Sequence, residues 1–468
     1  MGPSYRLLTV VLLALVTIIA FEAMAISTAM PQVAKDLDAV RSYGLAFSFM
    51  LTAQLLGIVL AGVWSDRRGP LPSLFAGQVL MAAGSTLAGL APTFTALLAG
   101  RLIAGLGAGL IVVALYVVIG RAYPDALRPK VFSWVSAAWV LPSLIGPPIA
   151  GWLTSTWSWR WVFLIVLAPI AATLAVVHTQ RDRITAGSPS DPTATGGRMA
   201  PGGQTAPADH PLPADQSGHR RLVLLGLGVA VSAGAMQWGA DQLAAARALP
   251  VTFAALGLVG VAVAGPRLVP PGSLRMARGL PAVMMSRFLL TAAFNGTLTF
   301  IPLMLVYERH LSLTTAGIML TVGALGWSFG SYLQGHRIIQ NRRSELVMAG
   351  GASLTVGILL LAAIAKFGWH DYLVGLATSL AGLGMGLAMS STSVLSLALS
   401  PVSAHGSTSS SLQVSDVLGS VMGISVAGAV FAAMHNPGGS DILVFELIWV
   451  SLAAVAALVM VSGQRTRT

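Results

Sequence analysis

Apolar stretches of about 20 residues, each bounded by clusters of Arg, Asp, Gly and Pro, recur along the whole chain. That is the length an α-helix needs to cross a hydrocarbon layer about 30 Å thick at about 1.5 Å per residue. Fourteen such runs can be counted. The first six cover approximately Leu7–Met30, Tyr43–Val63, Pro72–Ala91, Thr95–Gly120, Val131–Thr154 and Trp161–Gln180. Two more follow at Arg221–Trp238 and Leu243–Gly265, and the last six cover Pro281–Leu305, Leu313–Leu333, Glu345–Ala365, Tyr372–Leu399, Thr408–Met434 and Ile442–Ser462. Between Arg181 and Arg220 the chain is rich in Pro, Gly, Ala, Thr and Asp without apolar periodicity, which predicts a disordered linker. The pattern predicts an all-α membrane protein of fourteen transmembrane helices: a six-helix unit over residues 1–180, the linker over 181–220, two extra spans over 221–280 and a second six-helix unit over 281–468.

Composition excludes the soluble alternative. Of 468 residues 55% are apolar and 9% charged, against about 25% charged in soluble domains, and the mean hydropathy is +0.79. The 51 glycines suit helices whose backbones approach closely in lipid. The absence of cysteine excludes disulfides, iron–sulfur clusters and Cys-based zinc sites. The net charge of +11 is a topology signal and calls for no nucleic acid. With a cytoplasmic N-terminus, Lys35, Arg41, Arg160, Arg247, Arg309 and Lys366 face outward and Arg101 and Arg287 lie within runs, leaving 19 of the 27 Lys and Arg inside. An even number of spans returns the C-terminus to the cytoplasm.

The sequence repeats itself. Ala104-Gly105-Leu106-Gly107-Ala108-Gly109-Leu110 in run four matches Ala381-Gly382-Leu383-Gly384-Met385-Gly386-Leu387 in run twelve at an offset of 277. The same offset relates Gly146 to Gly423 and Gly151 to Gly428 in runs five and thirteen, and Phe21-Glu22 resembles Phe294-Asn295 at an offset of 273. A register kept across two consecutive spans predicts two pseudo-symmetric halves.

Charged side chains in hydrocarbon cost about 2.5–3.5 kcal/mol each on insertion scales, so the few present are candidates for chemistry. Glu22 and Arg101 lie in runs one and four, roughly 12 and 9 Å below the outer ends of their helices at about 1.5 Å per residue. Their shared depth makes them candidate charge partners and Glu22 a candidate proton carrier, against the alternative of a static structural pair or two unconnected polar residues. Asp416, roughly 12 Å from the cytoplasmic end of run thirteen, has no basic residue in its own run. It is a second candidate for proton coupling, against a role as cavity wall or helix cap. Arg287 and Glu446, nearer helix ends, are expected to reach the interfaces.

Between runs two and three, Gly62-Val63-Trp64-Ser65-Asp66-Arg67-Arg68-Gly69 sets an acidic and basic cluster at a helix end, where Asp66 can meet a helix N-terminus and the arginines can meet carboxylates or headgroups. In run five, Gly146-Pro147-Pro148-Ile149-Ala150-Gly151 combines prolines that predict a bend with glycines that admit a close neighbour. All eight histidines fall in predicted loops or at span ends, no phosphate-binding GxxxxGK[ST] loop occurs, and the GxGxG strings lie inside lipid-length helices without a flanking strand. No metal, no cofactor, no nucleic acid and no enzymatic activity are therefore expected.

The Gly62–Gly69 loop resembles the signature of the major facilitator superfamily: Gly62, Asp66, Arg67 and Gly69 match, while Pro70 and Leu71 replace its two basic residues. Arg101 with Gly105 and Gly107 resembles the fourth-span signature of that family. Gly146, Pro147 and Gly151 resemble its fifth-span antiporter signature, with Pro142 and Ala150 in place of two glycines. The stretch from Phe21 to Pro31 is similar to the first span of the fourteen-span drug:proton antiporters, with Glu22 in the acid's place. The resemblance implies a monomeric, proton-coupled secondary transporter of the plasma (inner) membrane that exports hydrophobic or amphipathic small molecules by alternating access. Glu22 would carry the proton, Arg101 would be its charge partner and Asp416 a second titratable group. Gln54, Trp139, Asn295 and Gln413 would contact substrate, and membrane lipids would surround the bundle. An exporter of lipids or lipid-linked precursors is the main alternative, and a non-transporting sensor or scaffold the other.

The orientation is testable because the chain has no cysteine of its own. Single cysteines at Gly196 and Thr466 should resist an impermeant thiol reagent added to intact cells, and labelling at either would reverse the topology.

Overall fold

In a computed structural model of the chain, residues 3–124, 127–181, 216–242, 248–334, 342–401 and 405–467 are described. They form an all-α bundle. Thirteen helices are long and apolar enough to cross a membrane, and the fourteenth predicted span is present as two pieces. Spans one to four are Pro3–Asp36, Leu45–Arg68, Pro70–Gly89 and Phe94–Ala122. Span five comprises Arg128–Ala137 and Val140–Thr156, and span six Arg160–Leu164 and Leu167–Thr179. Spans seven and eight are Gln216–Asp241 and Ala248–Ala264, and spans nine to fourteen are Leu280–Tyr307, Leu313–Leu333, Arg343–Phe367, Tyr372–Ala398, His405–Met434 and Ile442–Gln464. The predicted linker lies outside the described residues except at Arg181 and the first turn of span seven, which begins at Gln216 and not at Arg221.

Prolines place the interruptions, though not at the expected pair. Pro147 and Pro148 sit inside the continuous helix Val140–Thr156, and span five breaks instead at Ala138–Trp139. Pro142 explains the break: it has no N–H for the Ala138 carbonyl four residues earlier, and its ring crowds that carbonyl. Thr17 Oγ1 of span one donates to the freed Ala138 oxygen at 3.5 Å. Span six breaks by the same rule at Ile165–Val166, four residues before Pro169.

The glycine repeat becomes a repeat of contacts. A Cβ at Gly105 or Gly109 would collide with the span-two backbone at Met50 or Gln54, and one at Gly107 with span three at Gly77 and Met81. Their repeat partners do the same one half later: Gly382 and Gly386 lie against span ten at Gly323 and Trp327, and Gly384 against span eleven at Gly350 and Leu354. Lipid offers apolar side chains no hydrophobic drive to associate, so close packing along these faces is what holds the helices together. Gly151 and Gly428 extend the pattern across the halves. Gly151 of span five lies on Leu313 and Thr314 of span ten, and Gly428 of span thirteen on Gly44 at the start of span two.

Among the described residues, the hydrogen bonds and ring contacts between the halves gather toward one end of the bundle, the one that the basic-residue asymmetry assigns to the outside. Arg41 Nε donates to the Ala432 oxygen at 2.9 Å, and the Tyr43, Phe300 and Phe431 rings pack in sequence, tilted against one another, at 5.5 Å centroid spacings. Thr321 Oγ1 of span ten donates to the Leu144 oxygen of span five at 3.0 Å.

Backbone clearance separates glycines that the packing requires from those it does not. Gly423→Val would drive its side chain into the Ala292 backbone and should cost at least about 1–3 kcal/mol, read as a lowered melting temperature in detergent. Gly62→Ala meets nothing within 4 Å and should be neutral or stabilising by up to about 1 kcal/mol in the same assay.

Candidate functional site

Two ion pairs lie inside the bundle. The glycine face of span four seats that helix against span two, which brings Arg101, one turn before Gly105, beside the Ala46 carbonyl; Arg101 Nε donates to that oxygen at 3.0 Å. Its Nη1 donates to Glu22 Oε1 of span one at 3.3 Å, with the two side chains 3% and 1% exposed. The other carboxylate oxygen, Glu22 Oε2, is buried without a hydrogen-bond partner. Span five closes over this segment, since a Cβ on Gly146 would lie 3.5 Å from the Phe21 ring. The pair is buried and joined by a single long contact.

Asp416 is not the lone carboxyl expected from its own span, and Arg287 does not reach an interface. Arg287 of span nine holds Asp416 in a two-point grip, Nε to Oδ1 at 2.8 Å and Nη2 to Oδ2 at 2.9 Å. The remaining Nη1 donates to the Met389 oxygen at 2.6 Å, Thr392 Oγ1 at 3.1 Å and Ser393 Oγ at 3.2 Å, all on span twelve. One guanidinium thus ties spans nine, twelve and thirteen together with every nitrogen engaged. Planar, two-point pairing is the strongest geometry available to arginine and a carboxylate. The pair joins residues 129 apart, so nothing within either span announces it. Glu446, the other residue expected at an interface, does lie at the surface and accepts from Lys366 Nζ at 2.7 Å.

The expected substrate contacts are scattered around these pairs. Asn295 Nδ2 donates to Ser420 Oγ at 2.8 Å, and that hydroxyl donates to the Asp416 carbonyl at 2.8 Å, linking the repeat partner of Glu22 to the second ion pair. Gln413 is half-buried one turn before Asp416, Gln54 is half-buried on span two, and Trp139 stands 39% exposed at the break in span five. The structure brings Asn295 and Asp416 together and leaves Gln54 and Trp139 on other elements.

At the latch, Gly69 adopts φ 78° and ψ 172°, a conformation open essentially only to glycine, and so turns the chain directly from span two into span three with Pro70 as the first helical residue. Arg67 is exposed, Gly62 has open space where a side chain would stand, and the Asp66 side chain lies outside the described residues. Arg121 at the end of span four, not singled out from sequence, donates from Nη2 to the Ser65 oxygen at 3.4 Å. Among the described residues no group of three or more His, Cys, Asp or Glu could hold a metal ion.

A family model described as Major Facilitator Superfamily matches residues 12–424. The multidrug transporter protein MdtP of Bacillus subtilis is 26% identical over 440 residues, which is 91% of this chain and 75% of that protein. An uncharacterized MFS-type transporter of Mycobacterium tuberculosis is 28% identical over 394 residues, 82% of this chain but 54% of its own length. The multidrug efflux pump SdrM of Staphylococcus aureus is 31% identical over 176 residues, 37% of this chain and 39% of that protein. Among solved structures, a POT family transporter in complex with 5-aminolevulinic acid superposes with a TM-score of 0.67 at 12% identity over 97% of this chain and 94% of that one, a likeness of fold.

The two-point grip yields a double-mutant test. Arg287→Met and Asp416→Leu should each destabilise the detergent-solubilised protein by roughly 3–5 kcal/mol, because each strands a buried charge, whereas the double variant should recover most of that loss. Additive losses in thermal unfolding would mean that the two groups act independently.

Proposed function

Since the chain belongs to the major facilitator superfamily, we propose that it is a proton-coupled exporter of hydrophobic or amphipathic small molecules, working by alternating access in the plasma (inner) membrane with both termini in the cytoplasm. The observation that carries this reading is the Glu22–Arg101 pair, a buried carboxylate held at one oxygen and unpartnered at the other. A proton on Oε2 would remove a buried negative charge that a single 3.3 Å contact compensates, so protonated and ionised forms are both accessible to a modest rearrangement of spans one and four. Multidrug relatives in Bacillus subtilis and Staphylococcus aureus support a hydrophobic or amphipathic cargo.

The hydrogen bonds and ring contacts between the halves lie toward the end assigned to the outside, which supports an inward-facing state. In this reading cargo enters from the inner side and contacts Gln54, Trp139, Asn295 and Gln413. Arg287–Asp416 is the second charged centre, and the Gly62–Gly69 loop with Asp66 and Arg67 biases the equilibrium between inward and outward states. Rocking of the halves then exposes Glu22 to the outside, where a proton binds as cargo leaves.

Reconstituted vesicles with an imposed pH gradient test coupling, direction and cargo together. Glu22→Gln mimics the protonated carboxyl and should reduce uphill export at least about tenfold while sparing downhill exchange. Arg101→Ala should abolish both, because it leaves Glu22 buried and unpaired. Uphill export by Glu22→Gln at the wild-type rate and pH dependence would remove Glu22 as the carrier.

A further inference from the structure

The connection from span thirteen to span fourteen is short and polar, His435-Asn436-Pro437-Gly438-Gly439-Ser440-Asp441. Pro437 cannot continue the helix, and Gly438, at φ 84°, turns the chain back. Asp441 immediately precedes span fourteen, yet its side chain does not cap that helix. It reaches back across the loop, where Oδ2 meets His435 Nδ1 at 2.5 Å and Oδ1 accepts from the Asn436 N–H at 3.1 Å. The end of span nine grips the same loop: Glu308 Oε1 accepts from the Asp441 N–H and Oε2 from Ser440 Oγ, both at 2.7 Å. Asp441 is 6% exposed. Two carboxylates therefore crowd one histidine, and among the described residues neither forms an ion pair with Lys or Arg.

This network reaches the closure between the halves by two routes. The His435 ring stacks on Phe431 at 5.0 Å and 19°, at the end of the row of rings that runs through Phe300 to Tyr43 of the first half. The second route is an exchange of acceptors. In an uninterrupted helix the Asn436 N–H would donate to the Ala432 carbonyl, four residues earlier. Asp441 takes that N–H, which leaves the Ala432 oxygen to Arg41 Nε of the first half, at 2.9 Å. The carboxylate that holds His435 thus also keeps open the acceptor on which the first half rests.

We propose that His435, Asp441 and Glu308 form a proton-binding site on the outer face, and that a proton there locks the outer end closed. An imidazolium pairs with Asp441, offsets the neighbouring Glu308 carboxylate and lies along the Phe431 ring, and the neutral ring makes each of these contacts more weakly. When His435 loses its proton, Asp441 holds the loop less firmly, the Asn436 N–H can return to Ala432, and Arg41 loses its acceptor. The other ionisable side chains around the site are Arg41; Arg309, paired with Asp371; Lys366, paired with Glu446; Asp36, held by Trp159 and Gln32; and the phenols Tyr43 and Tyr307. Among these classes histidine is the one whose charge ordinarily changes between about pH 5 and about pH 8. The lock is therefore set in acid and released as the outside pH rises. It rests on alternating access with this end outward, and it acts apart from Glu22.

The test reads a distance and does not depend on transport. Spin labels on Pro92→Cys and Tyr372→Cys, exposed positions at the outer ends of the two halves, report the outer gap in the full chain, in a Glu22→Gln background so that Glu22 does not titrate. The ratio of closed to open populations should fall about fivefold as the pH rises from about 5.5 to about 8.5. His435→Gln should abolish that dependence, and His435→Lys, which keeps the charge, should hold the gap closed at both pH values. Arg41→Gln leaves the proton site intact but removes its attachment to the first half, and it too should flatten the response. An unchanging ratio in the parent chain, the parent's pH response surviving in His435→Gln or Arg41→Gln, or a His435→Lys protein no more closed than His435→Gln at the higher pH would overturn the proposal. If the unmodified chain exports nothing in a pH gradient while the distance response holds, the export reading falls and the proton lock stands.

Discussion

A charge in hydrocarbon needs a partner, and this bundle buries two carboxylates and two guanidiniums as two pairs built to opposite specifications. Arg287 meets both oxygens of Asp416 and spends its last nitrogen on span twelve, so breaking that pair forfeits two short contacts and strands two donors. Arg101 meets one oxygen of Glu22 at 3.3 Å and leaves the other bare. Buried pairs of the first kind cost several kcal/mol to break and act as struts. The second kind can exchange its charge state for one weak contact. The asymmetry assigns different labour to the two halves: the second half holds a fixed charge network, and the first half holds the carboxyl that the proposed function needs to be changeable.

The glycine contacts explain how such halves can move as units. Within each half, glycines on spans four and twelve let backbone touch backbone, a geometry with no side chain to yield, so each six-helix unit resists internal deformation. Between the halves, the Gly151 and Gly428 contacts are fewer and lie near one end. In the proposed cycle such contacts would serve as a pivot. The apolar face between spans seven and thirteen adds a surface along which the second half can slip.

Most of the fold was legible in sequence because its cause is local. Run length fixes a span, and the offset of 277 fixes the register of the repeat, which reappears as matched contacts of spans four and twelve. The site was legible only in part. Glu22 and Arg101 share a depth, so their meeting could be anticipated, whereas Arg287 with Asp416 required knowing that spans nine and thirteen are neighbours at that level. The break in span five was readable too, four residues before Pro142, but the double proline drew attention away from it.

That double proline does something other than bend the helix. Pro148 cannot donate to the carbonyl of Leu144, which leaves a backbone acceptor free in the middle of a lipid-buried helix. Thr321 supplies the missing donor from the opposite half at 3.0 Å. The deepest direct hydrogen bond identified between spans five and ten therefore exists because a proline removed a bond within one of them. Such a contact is exchangeable by construction. When the halves separate at this end, the Leu144 carbonyl can turn to water in the opened cavity, and Thr321 can fall back on its own helix, as hydroxyls in membrane helices do. A leucine pair at the same place would offer packing but no such exchange, and an ordinary helical carbonyl would have nothing to give. The sequence Gly146-Pro147-Pro148 thus places a releasable polar contact between spans five and ten.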